Sequence, residues 1–179
     1  SGQSVPTFYL DDIRFLRANV SNRASVTVNF SAAGRTITQP MRGMNTACWD
    51  WFLTTPERRQ LLKQVGFGML RFPGGSTTNE YDWRNNGNRR YGGTYGTNTD
   101  GFLSVANDIG AEKNITINYG SGTPQEAADW VQYANIQRNG RVRYWTIGNE
   151  NYGTWEHDTH PNRHDAHTYA YFTQDAMNR

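Results

Sequence analysis

The 179 residues predict an α/β fold built on a parallel sheet, and three observations predict it. Short apolar runs bounded by turn residues alternate four times with stretches of helical period. Helix-capping residues open the helical stretches and a glycine closes one of them. The composition is 36% hydrophobic with ten Tyr, eight Phe and six Trp, enough buriable area for a packed core rather than a disordered chain. By count alone, a doubly wound sheet and half of a parallel barrel satisfy this pattern equally.

In chain order, Phe8 to Phe15 alternates as a strand does, and Arg17 to Arg35 reads as a linker or short hairpin. Tyr9-Leu10-Asp11-Asp12-Ile13 is similar to the closing strand of a carbohydrate-binding β-sandwich; an edge strand of the following domain fits as well. Residues 1–35 are therefore set apart from a main domain over 36–179. In that domain Met41 to Asn45 predicts a first strand, and Pro56 to Val65 its helix, with Thr54 and Glu57 as a capping box. Gly68 to Phe72 predicts the second strand. Its helix comes late, at Asp100 to Ile109, with Phe102, Val105, Ala106 and Ile109 on one face and Gly110 as terminator. Asn114 to Tyr119 predicts the third strand. Thr123 and Glu126 then form a second capping box, for a helix burying Ala127, Trp130, Val131 and Ala134. Val142 to Gly148 predicts the fourth strand, and Asp165 caps a last helix.

Charge and composition exclude several classes of function. Eighteen Lys and Arg against sixteen Asp and Glu, with no basic run longer than a pair, do not describe a nucleic-acid surface. No stretch approaches the ~20 apolar residues of a membrane span, and no signal peptide opens the chain. Cys48, the single cysteine, excludes an internal disulfide. Tyr119-Gly120-Ser121-Gly122 follows a strand, but Gln125 replaces the third glycine of a dinucleotide loop and no P-loop lysine occurs, so no cofactor is expected. His157, His160, His164 and His167 cluster with Asp158 and Asp165, but Pro161 prevents one helical face and no cysteine joins them. They read as a polar loop beside a cleft, with no metal.

The chemistry gathers where the fourth strand ends, at Ile147-Gly148-Asn149-Glu150. The carboxyl ends of parallel barrel strands form the active face, so an acid there meets substrate. Strict alternation would part Asn149 from Glu150, so the strand must end or bulge at Gly148 for both to reach one site. Glycosidic cleavage needs an acid on the leaving oxygen, and burial against Trp145, Tyr152 and Trp155 would raise a glutamate into that range. The amide of Asn149 suits a sugar 2-hydroxyl. Trp49, Trp51 and Trp83 are either sugar platforms or plugs at a barrel rim.

Ile147 to Glu150 with Tyr152, Gly153 and Trp155 resembles the acid/base segment of clan A retaining glycoside hydrolases, nearest the family fifty-one α-L-arabinofuranosidases. Leu70-Arg71-Phe72-Pro73-Gly74-Gly75-Ser76, with Tyr81-Asp82-Trp83 behind it, resembles that family's second-strand motif. The resemblance spans about Gly43 to the C-terminus. It implies a partial TIM (β/α)8 barrel, about the first four βα units, preceded by a short β segment. Carried over by position, Glu150 is the general acid/base, Asn149 the 2-hydroxyl ligand and Arg71 the arginine that keeps the nucleophile ionised. Ser76, Trp49, Tyr119 and Trp155 complete the expected substrate-binding set. Two positions depart from the pattern: Ser76 replaces asparagine, and Asn45 to Asp50 lacks the acidic substrate ligand. Thr159-His160-Pro161 is similar instead to family forty-four endoglucanases and xyloglucanases, the second reading.

The retaining mechanism also needs a nucleophile, which in this clan comes from the seventh strand. None of Glu80, Asp82, Glu112, Glu126 or Glu156 stands at a later strand end. The expectation is therefore part of a glycosidase acting on plant-type oligo- or polysaccharide, secreted as the parent protein, with the acid/base present and the nucleophile absent. By itself the chain is expected to be inactive and poorly stable or self-associating, and to need a C-terminal half of the barrel or a partner chain. A binding module or assembly unit without catalysis is the non-enzymatic alternative.

Overall fold

The computed structural model describes residues 25–29, 31 and 34–179. The strand expected at Phe8 to Phe15, and with it the β-sandwich reading, lies outside the described residues. Contacts divide the chain into Ser1–Thr38 and Gln39–Arg179, and the second unit holds every element below.

Strand β1 (Gly43–Asn45) leads to helix α1 (Pro56–Val65), and β2 (Met69–Phe72) follows. A hairpin of β3 (Tyr81–Asp82) and β4 (Gly87–Asn88) then precedes α2 (Thr99–Ile109). The remaining elements are β5 (Glu112–Ile117), α3 (Pro124–Gln132), β6 (Tyr144–Ile147) and α4 (Ala166–Asn178). Strands β1, β2, β5 and β6 pair in parallel in that order. Each new strand is added beside the last, as in a barrel; a doubly wound sheet reverses its order at a switch point.

Among the described residues the sheet is covered on one face only. Leu70, Phe72, Ile115 and Ile117 are buried on the helix side, where Met44, Trp145 and Ile147 also pack. Phe72 stacks on Phe102 of α2, with centroids 4.9 Å apart. Each such side chain stabilises the fold by about 1.5–3 kcal/mol. The intervening positions, Asn45, Arg71, Asn114, Thr116 and Thr146, form a polar face that carries no helix. One covered face and in-order strands make this four βα units of a (β/α)8 barrel, the fold class the sequence predicts.

Capping chemistry explains the helix starts. Thr123 accepts from the Glu126 amide while Glu126 accepts in turn from the Thr123 amide, the predicted reciprocal cap of α3. Asp165 accepts from the Thr168 amide at 2.8 Å and opens α4. For α1 the expectation needs correction: Thr55, not Thr54, is the N-cap, and it accepts from Arg58. Pro56 occupies the first helical position, and only the residue directly before it is placed to cap. The third barrel strand also starts two residues earlier than expected and ends at Ile117. No helix among the described residues is long and apolar enough to cross a membrane.

Candidate active site

The carboxyl ends of β2, β5 and β6 bring the site residues together. Strand β6 stops at Ile147, and Gly148 takes φ +66, outside the range side chains favour. Its amide still donates to the Ile117 carbonyl at 2.9 Å, so the chain turns without leaving the sheet. A Cβ at Gly148 would stand 2.2 Å from the Asn151 side chain. This is the break the sequence required, and it sends Asn149 and Glu150 past the end of the strand together. Glu150 itself has φ +44, a conformation that costs a non-glycine residue about 1–3 kcal/mol. Short loop bonds hold it: Gly153 donates to the Glu150 carbonyl at 2.7 Å, and Asn151 Nδ2 to the Ile147 carbonyl at 3.0 Å.

Arg71 rises from β2 on the polar face. Its Nε donates to Thr116 Oγ1 at 3.0 Å, one terminal nitrogen to Asn45 Oδ1 at 3.3 Å and the other to Asn149 Oδ1 at 3.0 Å. Burial draws the guanidinium below its usual pKa, and the charge of Glu150 acts in the opposite sense. The acid and the arginine are thus electrostatic neighbours, with Asn149 beside both. The turn after β2 lies close against β1: Gly74 has φ +111, and a Cβ there would meet the Thr46 carbonyl at 2.8 Å and the Trp49 ring at 3.3 Å.

Behind Asn149 stands a second tier of polar groups. The Asn79 side chain accepts from the Asn149 amide nitrogen at 3.3 Å and donates to its carbonyl at 2.9 Å, bracketing that backbone unit. Glu156, only 5% exposed, accepts from Ser76 Oγ at 2.7 Å, Asn79 Nδ2 at 2.8 Å and Asn149 Nδ2 at 3.0 Å.

The other expected residues are placed as follows. Ser76 directs its hydroxyl at Glu156. Trp49 and Trp155 are exposed at 48% and 66%, and Trp155 Nε1 donates to Glu150 Oε2 at 3.1 Å. Tyr119 is 1% exposed, its ring stacked on His160 at 4.4 Å and edge-on to Tyr169 and Phe172. It extends β5 on the helix side of the sheet, so its faces are already covered and it is not an open sugar platform. Trp83 is a plug, lying parallel to Trp130 with its Nε1 on the Glu126 carbonyl.

The apolar wall expected around Glu150 is not assembled: Glu150 is exposed, as are Tyr152 and Trp155, because these side chains follow the last strand of the sheet and nothing packs beyond them among the described residues. A cavity of about 360 Å³ does adjoin Glu150, between the end of β6 and the start of α4, with Ile147, Tyr119 and Tyr169 in its lining. Arg71 and Asn149 lie on the other, polar face of the sheet and do not line it.

His160 and His164 gather on Asp158. Its carboxylate accepts from both backbone amides and contacts His160 Nδ1 at 2.7 Å. Among the described residues no three His, Cys, Asp or Glu side chains converge as metal ligands would. Burial pushes the Cys48 thiol up to about 12, leaving it protonated and inert at neutral pH.

Asn45, Thr116, Asn79 and Glu156 escaped the sequence reading as parts of this site. Asn45 and Thr116 were detectable through strand alternation, which puts them on the face of Arg71. Asn79 and Glu156 lie in loops, where no period applies.

No protein-family model matches the chain. It is 34% identical over 120 residues to an intracellular exo-alpha-L-arabinofuranosidase of Bacteroides ovatus, a match covering 51% of this chain and 23% of that protein. It is also 34% identical over 125 residues to alpha-L-arabinofuranosidase C of Emericella nidulans, over 54% of this chain and 25% of that one. The chain thus spans about a quarter of the length of the curated relatives it matches. Among solved structures, a family 51 alpha-L-arabinofuranosidase from Bifidobacterium longum superposes with a TM-score of 0.56 over 67% of this chain and 28% of that one, at 21% identity. That likeness supports the barrel architecture. The two sequence matches uphold the resemblance drawn from the strand-end motifs.

Proposed function

We propose that the chain supplies the acid/base half of a retaining α-L-arabinofuranosidase site, with Glu150 protonating the leaving oxygen. The observation that carries this reading is the strand-end constellation of Glu150, Asn149 and Arg71, brought to one rim by the break at Gly148. The sugar lies over the polar face, with Asn149 on its 2-hydroxyl and Trp49 and Trp155 as aromatic flanks. Arg71 supplies fixed positive charge, which favours an ionised nucleophile facing it. That nucleophile is assigned to none of the four candidate glutamates among the described residues. Glu80 and Glu126 are held by Arg90 and by Arg84 and Arg89, Glu112 pairs with Arg143, and Glu156 is enclosed behind Asn149.

The test uses the full gene product. Glu150→Ala is expected to lower kcat by about 10²–10⁴ on glycosides with poor leaving groups. Turnover should recover on an activated aryl arabinofuranoside, whose departure needs no proton, and the product should keep its anomeric configuration. Equal loss on both leaving groups would remove the acid role from Glu150.

A further inference from the structure

Glu156 is a buried carboxylate at this rim, and the proposed chemistry gives it no role. It has no cation partner among the described residues, and three donors converge on it from two segments: Ser76 and Asn79 from the single 3-10 turn after β2, and Asn149 from the end of β6. The Asn149 amide is thereby committed at both ends. Its Oδ1 accepts from Arg71, and one Nδ2 hydrogen goes to Glu156. A flip of the amide would face Nδ2 against the Arg71 donors and Oδ1 against a carboxylate, losing both bonds. One Nδ2 hydrogen remains free.

We infer that Glu156, with Asn79 and Ser76, is a clamp that fixes the orientation of Asn149, so that Asn149 meets the sugar 2-hydroxyl only as a hydrogen-bond donor. The inference rests on the hydrolase reading above. It also accounts for Ser76, since a hydroxyl there is long enough to hold Glu156 and need not reach the sugar. Glu156 is then a positioning residue, acting through Asn149. It further ties the acid's loop to the turn after β2, because its side chain holds Ser76 and Asn79 while its own backbone amide donates to the Gly153 carbonyl within the turn that begins at Glu150.

The experiment compares Glu156→Ala and Glu156→Gln in the full gene product, on an aryl α-L-arabinofuranoside and on its 2-deoxy analogue. Glu156→Ala is expected to lower kcat on the parent substrate by about tenfold to a hundredfold, below the ~10²–10³ of deleting a transition-state donor outright, with KM changed far less. The 2-deoxy substrate should be turned over as by the unsubstituted protein, and Asn149→Ala should lose nothing more when Glu156→Ala is added. Glu156→Gln keeps one acceptor oxygen and should lie between. Equal losses on the two substrates, or additive losses with Asn149→Ala, would overturn the clamp in favour of a merely structural carboxylate. If Glu156→Ala does not fold, Glu156→Gln and Ser76→Ala carry the same two-substrate comparison. A protein inert on every furanoside would defeat the hydrolase reading, and the clamp is then decided by the NMR signals of the Asn149 side-chain amide. Protected protons that become freely exchanging in Glu156→Gln support it; unchanged signals refute it.

Discussion

Arg71 spreads three hydrogen bonds over three strands' ends, to Asn45, Thr116 and Asn149, an arrangement that needs the planar fork of a guanidinium. Lysine offers one nitrogen and reaches one of these partners. Each bond lost from a charged donor costs about 1.5–3 kcal/mol, so Arg71→Lys, which loses two, is expected to lower kcat/KM by about 10²–10⁴, at about 1.4 kcal/mol per decade. Steady-state kinetics of the full gene product check this, and unchanged kinetics with a lowered Tm would make Arg71 structural only. The residues of this scale that carry a backbone signature were legible in the sequence. A glycine ahead of Asn-Glu announces the break that frees both side chains, and paired glycines announce the turn after β2. Glu156 has no such signature; its three donors are 7 to 80 positions away in the chain, and only folding gathers them.

At the scale of elements, the helices were set by short-range rules and were found where those rules put them: Thr123 with Glu126, Asp165 with Thr168. The β3–β4 hairpin between the second strand and its helix was not foreseen. Its two strands are two residues each, too short to show alternation, and they are held by Tyr81, Asn86 and Asn88 side chains rather than by sheet pairing alone. The histidine run is another element of this kind, and its organiser is Asp158. Burial opposes the charge on that carboxylate, but the amides of His164 and His160 and the His160 ring outweigh it and hold its pKa below the usual aspartate value. A depressed carboxylate contributes stability that is present above the unfolded-state pKa of about 3.9 and is lost as pH falls through the lower folded value. Asp158→Asn is therefore expected to lower Tm at neutral pH and to lose that difference below about pH 4. Thermal unfolding of both proteins across this window tests it; a constant difference at all pH values would refute it.

At the scale of the whole molecule, the decisive fact is a sheet with one dressed face among the described residues. Among the described residues β1 and β6 each pair with a single neighbour, and their free edges present unpaired amides and carbonyls, the usual template for association. The uncovered face, by contrast, is polar, so its exposure costs little hydrophobic energy. Exposed aromatic groups stand instead at the rim, among them Trp49, Trp51, Phe52, Tyr152 and Trp155. The 179-residue polypeptide expressed alone is expected to associate through edges and rim, with an unfolding midpoint that rises with concentration. Sedimentation and calorimetry over a hundredfold dilution check this, and a monomer with a concentration-independent Tm would contradict it.

The sequence by itself determined the four βα units, the caps that start α3 and α4 and the break that delivers Asn149 and Glu150, because periodicity, capping and turn chemistry act over a few neighbouring residues. Tertiary structure alone decided the strand order, the pairing that brings Asn45 and Thr116 within reach of Arg71, and the enclosure of Glu156 behind Asn149. Those arrangements depend on which strands pair and which loops meet, and the contacts that select them join residues dozens of positions apart.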